Sequence, residues 1–122
     1  MKPSRLGGRK RCALVMRKGR VWKSGSMVIR WLPGAPKHPL IHPEKRAVYI
    51  GTVASTKLHK SAVVRNRMRR RCREALRIEM QNLDNLPIAQ LLILPRNASL
   101  SAPFEDIRSD AARFLSLLSS TT

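Results

Sequence analysis

Acidic side chains are scarce in this chain: 7 aspartates and glutamates face 25 lysines and arginines over 122 residues, a formal net charge of +18. So few carboxylates cannot neutralise the cations internally, and the compact state repels itself unless a polyanion shares the charge. The acids are Glu44, Glu74, Glu79, Asp84, Glu105, Asp106 and Asp110. No pair of them falls where a strand and a loop would hold two metals for phosphodiester cleavage, so no catalytic residue and no metal ligand is assigned. Histidine offers little more. His38 and His42 have i,i+4 spacing, but Pro39 and Pro43 break any helix that would present them together, which reads as an ordinary loop. His59, beside the most basic stretch, suits RNA contact or simple exposure better than general-base work. Cysteine is limited to Cys12 and Cys72, too few for a zinc site and read as free thiols of a cytoplasmic protein. No apolar run approaches the roughly 18 residues that cross a bilayer. No apolar segment follows the basic N-terminal residues, which argues against a secretory signal.

The hydrophobic fraction of 43% is that of a folded domain rather than a disordered tail. The charge is lopsided. Residues 1–77 carry 22 basic and 2 acidic side chains, whereas residues 78–122 carry 3 and 5. A polyanion therefore meets the first two thirds of the chain, and the last third completes the fold. Residues 1–8 read as a flexible basic arm and residues 9–119 as a single domain. Within it, residues 9–18 form a short helix with Cys12, Val15 and Met16 on its apolar face, stopped by Gly19. Residues 26–32 alternate as a strand, with Met27, Ile29 and Trp31 opposite Val28, Arg30 and Leu32. The proline-rich residues 33–43 are a loop, and residues 46–55 a β-branched strand. Residues 88–95 are apolar enough to be a strand buried on both faces. A closing helix has Ser101 as its N-cap, Glu105 and Asp106 in its first turn, and an apolar stripe from Phe104 to Leu118. The pattern predicts an α+β fold with one mixed sheet of about four strands packed with helices.

One element concentrates the cations. In AVVRNRMRRRCREALR, residues 62–77, six arginines fall within nine positions from Arg65 to Arg73. On a helical wheel Val64, Met68, Cys72, Ala75, Leu76 and Ile78 gather on one side. Asn66, Arg67, Arg69, Arg70, Arg73, Glu74 and Arg77 share the other, with Arg71 at the seam, where its methylenes can lie on the apolar edge. Like charges one turn apart destabilise a helix, so this face calls for an anionic partner. Guanidinium forks donate to phosphate in pairs and stack on unpaired bases, which points to RNA. Asn66 either hydrogen-bonds RNA or caps the first turn, and Glu74 orients Arg70 or Arg77. Basic-zipper proteins also carry Asn followed by Cys-Arg in such a helix. Here the step from Asn66 to Cys72 and Arg73 is one residue short, and Pro87 ends any coiled coil after a single heptad.

The same stretch resembles the RNR signature of the bacterial ribonuclease P protein component, through Ala62, Val63, Arg65, Asn66, Arg69, Arg70, Arg73 and Glu74. The wider layout is similar over about residues 9–118. The resemblance implies a ribosomal-protein-S5-domain-2-like sandwich with a left-handed βαβ crossover around the arginine helix. It implies the protein subunit of a ribonucleoprotein that removes the 5′ leader of precursor tRNA. Hydrolysis would be performed by the RNA subunit with Mg²⁺, with no organic cofactor and no stable protein partner. By the same resemblance, Arg65, Asn66, Arg67, Arg69, Arg70, Arg73 and Arg77, with Lys57 and Lys60 before the helix, meet ribonuclease P RNA. A cleft between the first helix and the sheet would take the leader. Its positions here are Cys12, Met16 and Arg30, with Trp31 as a neighbouring contact, where the family usually has aromatics. A second departure lies before the signature, where His59 or Lys60 stands in place of a glycine. The rival from another class is a structural RNA-binding protein, such as a small ribosomal protein, without a processing role.

Overall fold

A computed structural model of the chain describes residues 1–37 and 47–120; His38, His42 and Glu44 lie outside the described residues. The five strands are β1 (Ser4–Arg5), β2 (Arg20–Lys23), β3 (Met27–Pro33), β4 (Val48–Thr52) and β5 (Ala89–Pro95). The helices are α1 (Arg9–Lys18), α2 (Ala62–Met80), α3 (Ala98–Ser101) and α4 (Phe104–Ser120). The strands form one mixed sheet in the order β1-β4-β5-β3-β2. β4 runs parallel to both β1 and β5, while β3 is antiparallel to β5 and β2. The long arginine helix α2 connects the parallel neighbours β4 and β5, which makes a βαβ unit.

The fold is thus α+β as expected, with five strands rather than about four. The two strands that no sequence pattern marked, β1 and β2, are short. Residues 1–8 are not a loose arm: Ser4 and Arg5 pair with Tyr49 and Ile50, and the Leu6 amide donates to the Ile50 carbonyl at 3.0 Å. Leu6 supplies the reason, since it buries its side chain against Tyr49 and Leu92, and hydrophobic burial offsets the entropy of ordering the arm. β2 follows α1 directly because Gly19 allows it. A Cβ at Gly19 would collide with the Val15 carbonyl oxygen, so only glycine lets the chain reverse in one residue.

Strand alternation divides the interior into two layers. Met27, Ile29 and Trp31 of β3 and Leu91 and Ile93 of β5 face α2 and α4. There they meet Cys72, Leu76 and Met80 of α2, and Ile107, Phe114 and Leu118 of α4. Each such side chain, fully buried, contributes about 1.5–3 kcal/mol. The opposite face is thinner and is covered by α1 through Val15, with Cys12 and Met16 packed beside it. β5 lies at the centre of the sheet and is apolar on both faces, as its sequence predicts.

Two local devices fix α2. At its start, the Val64 amide donates to Ser61 Oγ at 3.4 Å, so Ser61 is the N-cap and Asn66 is free of that task. The preceding turn closes without the family's glycine. The Leu58 amide donates to the Ser55 carbonyl at 3.0 Å, and the Ser61 amide donates to His59 Nδ1 at 3.0 Å. No described non-glycine residue has a positive φ, so the turn needs no left-handed residue. In mid-helix, Arg71 reaches inward. It donates to the carbonyls of Ser99 (2.7 Å), Leu100 (2.9 Å) and Ala102 (2.7 Å), satisfying the C-terminal end of α3. That short helix also displaces one expected boundary: Ser101 is its last residue rather than the N-cap of α4, which begins at Phe104.

Candidate nucleic-acid interface

The buried side of α2 consists of Met68, Cys72, Ala75, Leu76 and Met80, which turns Asn66, Arg70 and Arg73 outward. An open groove of about 420 Å³ runs along this outer side, lined by Thr52, Val63, Asn66, Arg69, Arg70 and Arg73. Val63, an apolar residue inside the signature, is 76% exposed at its wall. A second, larger groove of about 720 Å³ lies between α2 and the N-terminal end of α1, with β4 as its floor. Its walls carry Arg5 and Arg9 on one side and Arg69 and Arg73 on the other, above Ile50–Val53. Among the described residues, no carboxylate lines either groove.

Arg69 and Arg73 belong to both grooves. They sit one helical turn apart, about 6 Å along the axis, so their guanidinium groups can hold successive anionic groups. With Arg5 and Arg9 opposite, the larger groove presents cations on both walls, a geometry that focuses potential into the cleft. The residues assigned from sequence split accordingly. Asn66, Arg69, Arg70 and Arg73 come together. Arg65 turns back, donating to the Ala54 carbonyl at 3.3 Å, and so ties α2 to the end of β4. Arg67, Lys57 and Lys60 are exposed but line neither groove. Arg77 is paired with Glu74, its Nε donating to Oε2 at 2.9 Å. The hydrogen bond from Arg77 holds the Glu74 carboxyl below its ordinary range, and Glu74 in turn raises Arg77. Glu74 therefore orients Arg77, not Arg70.

Three of the four residues assigned to a cleft beside α1 share one face of the sheet. Cys12 and Met16 flank the buried Val15. Arg30 points to the same face and donates to the Met16 carbonyl at 2.7 Å, bracing the end of α1. Trp31 does not belong there. Strand alternation sends it to the other face, where it is 5% exposed and packs edge-on against Phe114. The register adds residues that sequence reasoning passed over. Val28 pairs with Leu94, and the Val53 amide donates to the Ile93 carbonyl at 2.9 Å, which continues an apolar row past the end of α1. Val28 was readable from its alternation with Arg30; Val53 and Leu94 required the strand pairing. Arg5 and Arg9 were also missed as site residues, although their positive charge was evident.

Guanidinium donors beside apolar side chains give the combined surface the chemistry to hold phosphate groups and nucleobases. Burial pushes the Cys72 thiol up to about 11, so it remains protonated and inert at neutral pH. Among the described residues no group of three or more His, Cys, Asp or Glu stands together as a metal site. No helix among them is long and apolar enough to cross a membrane.

Comparison with known proteins places this geometry in context. The family model described as ribonuclease P matches residues 1–119. The chain is 36% identical over 100 residues to the ribonuclease P protein component of Thermus oshimai, covering 82% of this chain and 55% of that protein. It is 34% identical over 119 residues to the counterpart from Thermus aquaticus, covering 93% and 63%. The chain thus spans between half and two thirds of the length of these relatives. Two solved structures share its fold. The RNase P protein of Staphylococcus aureus superposes with a TM-score of 0.69 at 17% identity, over 95% of both chains. That of Thermotoga maritima gives 0.67 at 21% identity, over 98% of both.

Proposed function

The chain belongs to the bacterial ribonuclease P protein component family, and from that premise we propose that it acts as the protein subunit of ribonuclease P. In this reading it binds the RNA subunit and the 5′ leader of precursor tRNA in the cytoplasm, and it promotes endonucleolytic removal of the leader. The observation that carries the proposal is the larger groove, where Arg5 and Arg9 face Arg69 and Arg73 across β4 with no carboxylate among the described residues.

The mechanism is electrostatic. Asn66, Arg69, Arg70 and Arg73 dock on RNA phosphates, releasing counterions and relieving the mutual repulsion of the helix. The leader lies over the apolar row of Val28, Leu94 and Val53, bordered by Cys12 and Met16. Without aromatics at these positions, its bases gain contact area but little stacking, so backbone contacts carry more of the affinity. Arg30 is a positioning residue there, because its bond to the Met16 carbonyl sets the wall of the cleft. Mg²⁺ belongs in this proposal to the RNA subunit. Guanidinium walls repel a divalent cation.

The test is filter binding of the RNA subunit across a salt series. Replacing Arg69 and Arg73 by Gln removes two phosphate contacts, which lowers the slope of log K against log salt by about 1.5–2. An unchanged slope would overturn the proposal. RNA binding without any gain in leader removal would instead favour a structural RNA-binding protein.

A further inference from the structure

A third basic surface lies on the other flank of α1. The helical wheel places Cys12 and Met16 on one side of the buried Val15, and Arg11, Leu14 and Lys18 on the other. The second flank borders a separate groove of about 540 Å³, whose far wall is the segment from Leu32 to Lys37. Lys10, Arg11, Lys18 and Lys37 rim it, over a floor that includes Leu14, Leu32 and Ala35. Among the described residues, the lining contains neither a carboxylate nor an aromatic ring.

The groove is preformed. The Gly34 amide donates to the Ile88 carbonyl at 2.8 Å, and Gln90 Nε2 donates to the Gly34 carbonyl at 3.3 Å. Gly34 itself sits at φ +88°, a conformation that favours glycine and turns the wall toward α1. Arg11 is partly engaged through its bond to the Gly7 carbonyl at 3.0 Å. Lys10, Lys18 and Lys37 are exposed. Lys10 and Lys18 are two turns apart, about 12 Å along the helix, so the rim spans more than one phosphate.

We propose that this groove is a second docking surface for the RNA subunit, one that grips the phosphate backbone of a folded, base-paired segment. The proposal rests on the RNA-binding reading above. Lysine supplies point charges without the planar fork, and no ring is present for an unpaired base to stack on, so the chemistry favours duplex backbone over single-stranded leader. The groove faces away from the leader cleft across α1, and an RNA large enough to reach both flanks is required to fill both.

The experiment replaces Lys10, Lys18 and Lys37 together by Gln in the full chain and measures binding against salt with two probes, the RNA subunit and a single-stranded leader oligonucleotide. Loss of three lysine contacts lowers the slope for the RNA subunit by about 2–3 and leaves that for the leader oligonucleotide unchanged. The triple Lys→Arg variant, which keeps the charge, retains the wild-type slope. If the Gln variant binds the RNA subunit with the wild-type slope while the Arg69/Arg73 variant does not, the groove inference fails and the functional reading stands. If both variants keep the wild-type slope, the functional reading fails as well. A loss confined to the leader oligonucleotide would also overturn the assignment of this surface.

Discussion

Arg71 and Arg73 are two residues apart in one signature, and the structure gives them opposite work. Replacing Arg71 by Ala removes donations to three carbonyls, at 2.7, 2.9 and 2.7 Å, and leaves the C-terminal end of α3 without partners. A hydrogen bond to a charged group contributes about 1.5–3 kcal/mol, but water replaces part of that at a half-exposed site, so the expected net cost is about 2–4 kcal/mol. For a domain of this size that lowers the melting temperature by roughly 8–16 °C. Replacing the exposed Arg73 by Ala should stay within about 0.5 kcal/mol. The assay is urea unfolding followed by circular dichroism, paired with RNA binding under conditions where both variants are folded. Arg71→Ala should lose stability and keep its salt slope, whereas Arg73→Ala should do the reverse. If the two variants unfolded at the same urea concentration, Arg71 would not be the clamp described.

Two further expectations concern the core. Burial alone would push Asp110 up, but its carboxylate accepts from the Ser26 hydroxyl and from the Ser26 amide at 3.1 Å, and pairs with Arg113, which together hold it below its ordinary value. A depressed carboxyl stabilises above its unfolded pKa of about 4 and loses that contribution as pH falls through the lower folded value. Asp110→Asn should therefore cost about 1–3 kcal/mol at pH 7, with the gap to wild type closing in acid; a gap independent of pH would contradict this. A thiol reagent should label the half-buried Cys12 of the native protein and reach Cys72 only after unfolding. Equal labelling rates would show that the α2–α4 layer opens readily.

The three long helices and the central strands were legible because their periodicity is strong. The stripe of α4, the buried side of α2 and the alternation in β3 all follow from single residues. What escaped was short or depended on pairing. Ser4 and Arg5 carry no pattern of their own and become a strand only because β4 offers an open edge and Leu6 a hydrophobic anchor. β2 has only four residues, two of them cationic. The cationic face of α2 was readable as a stripe, but its division was not. Arg65, Arg71 and Arg77 are each engaged by a carbonyl or carboxylate supplied by the fold, and a helical wheel contains no information about the neighbouring segments. Trp31 shows the same limit from the other side. Its alternation with Arg30 places it on the opposite face of the sheet, so nearness in sequence was a poor guide to the cleft.

The central claim is that the protein contributes cationic surface to an RNA that performs the hydrolysis. The most direct measurement is 5′-leader removal from precursor tRNA by a bacterial ribonuclease P RNA at low Mg²⁺, with and without this protein. The account predicts that the protein restores cleavage which the RNA alone reaches only at high Mg²⁺, and that the Arg69→Gln, Arg73→Gln double variant restores it poorly. Tight RNA binding with no gain in cleavage at any Mg²⁺ concentration would contradict it.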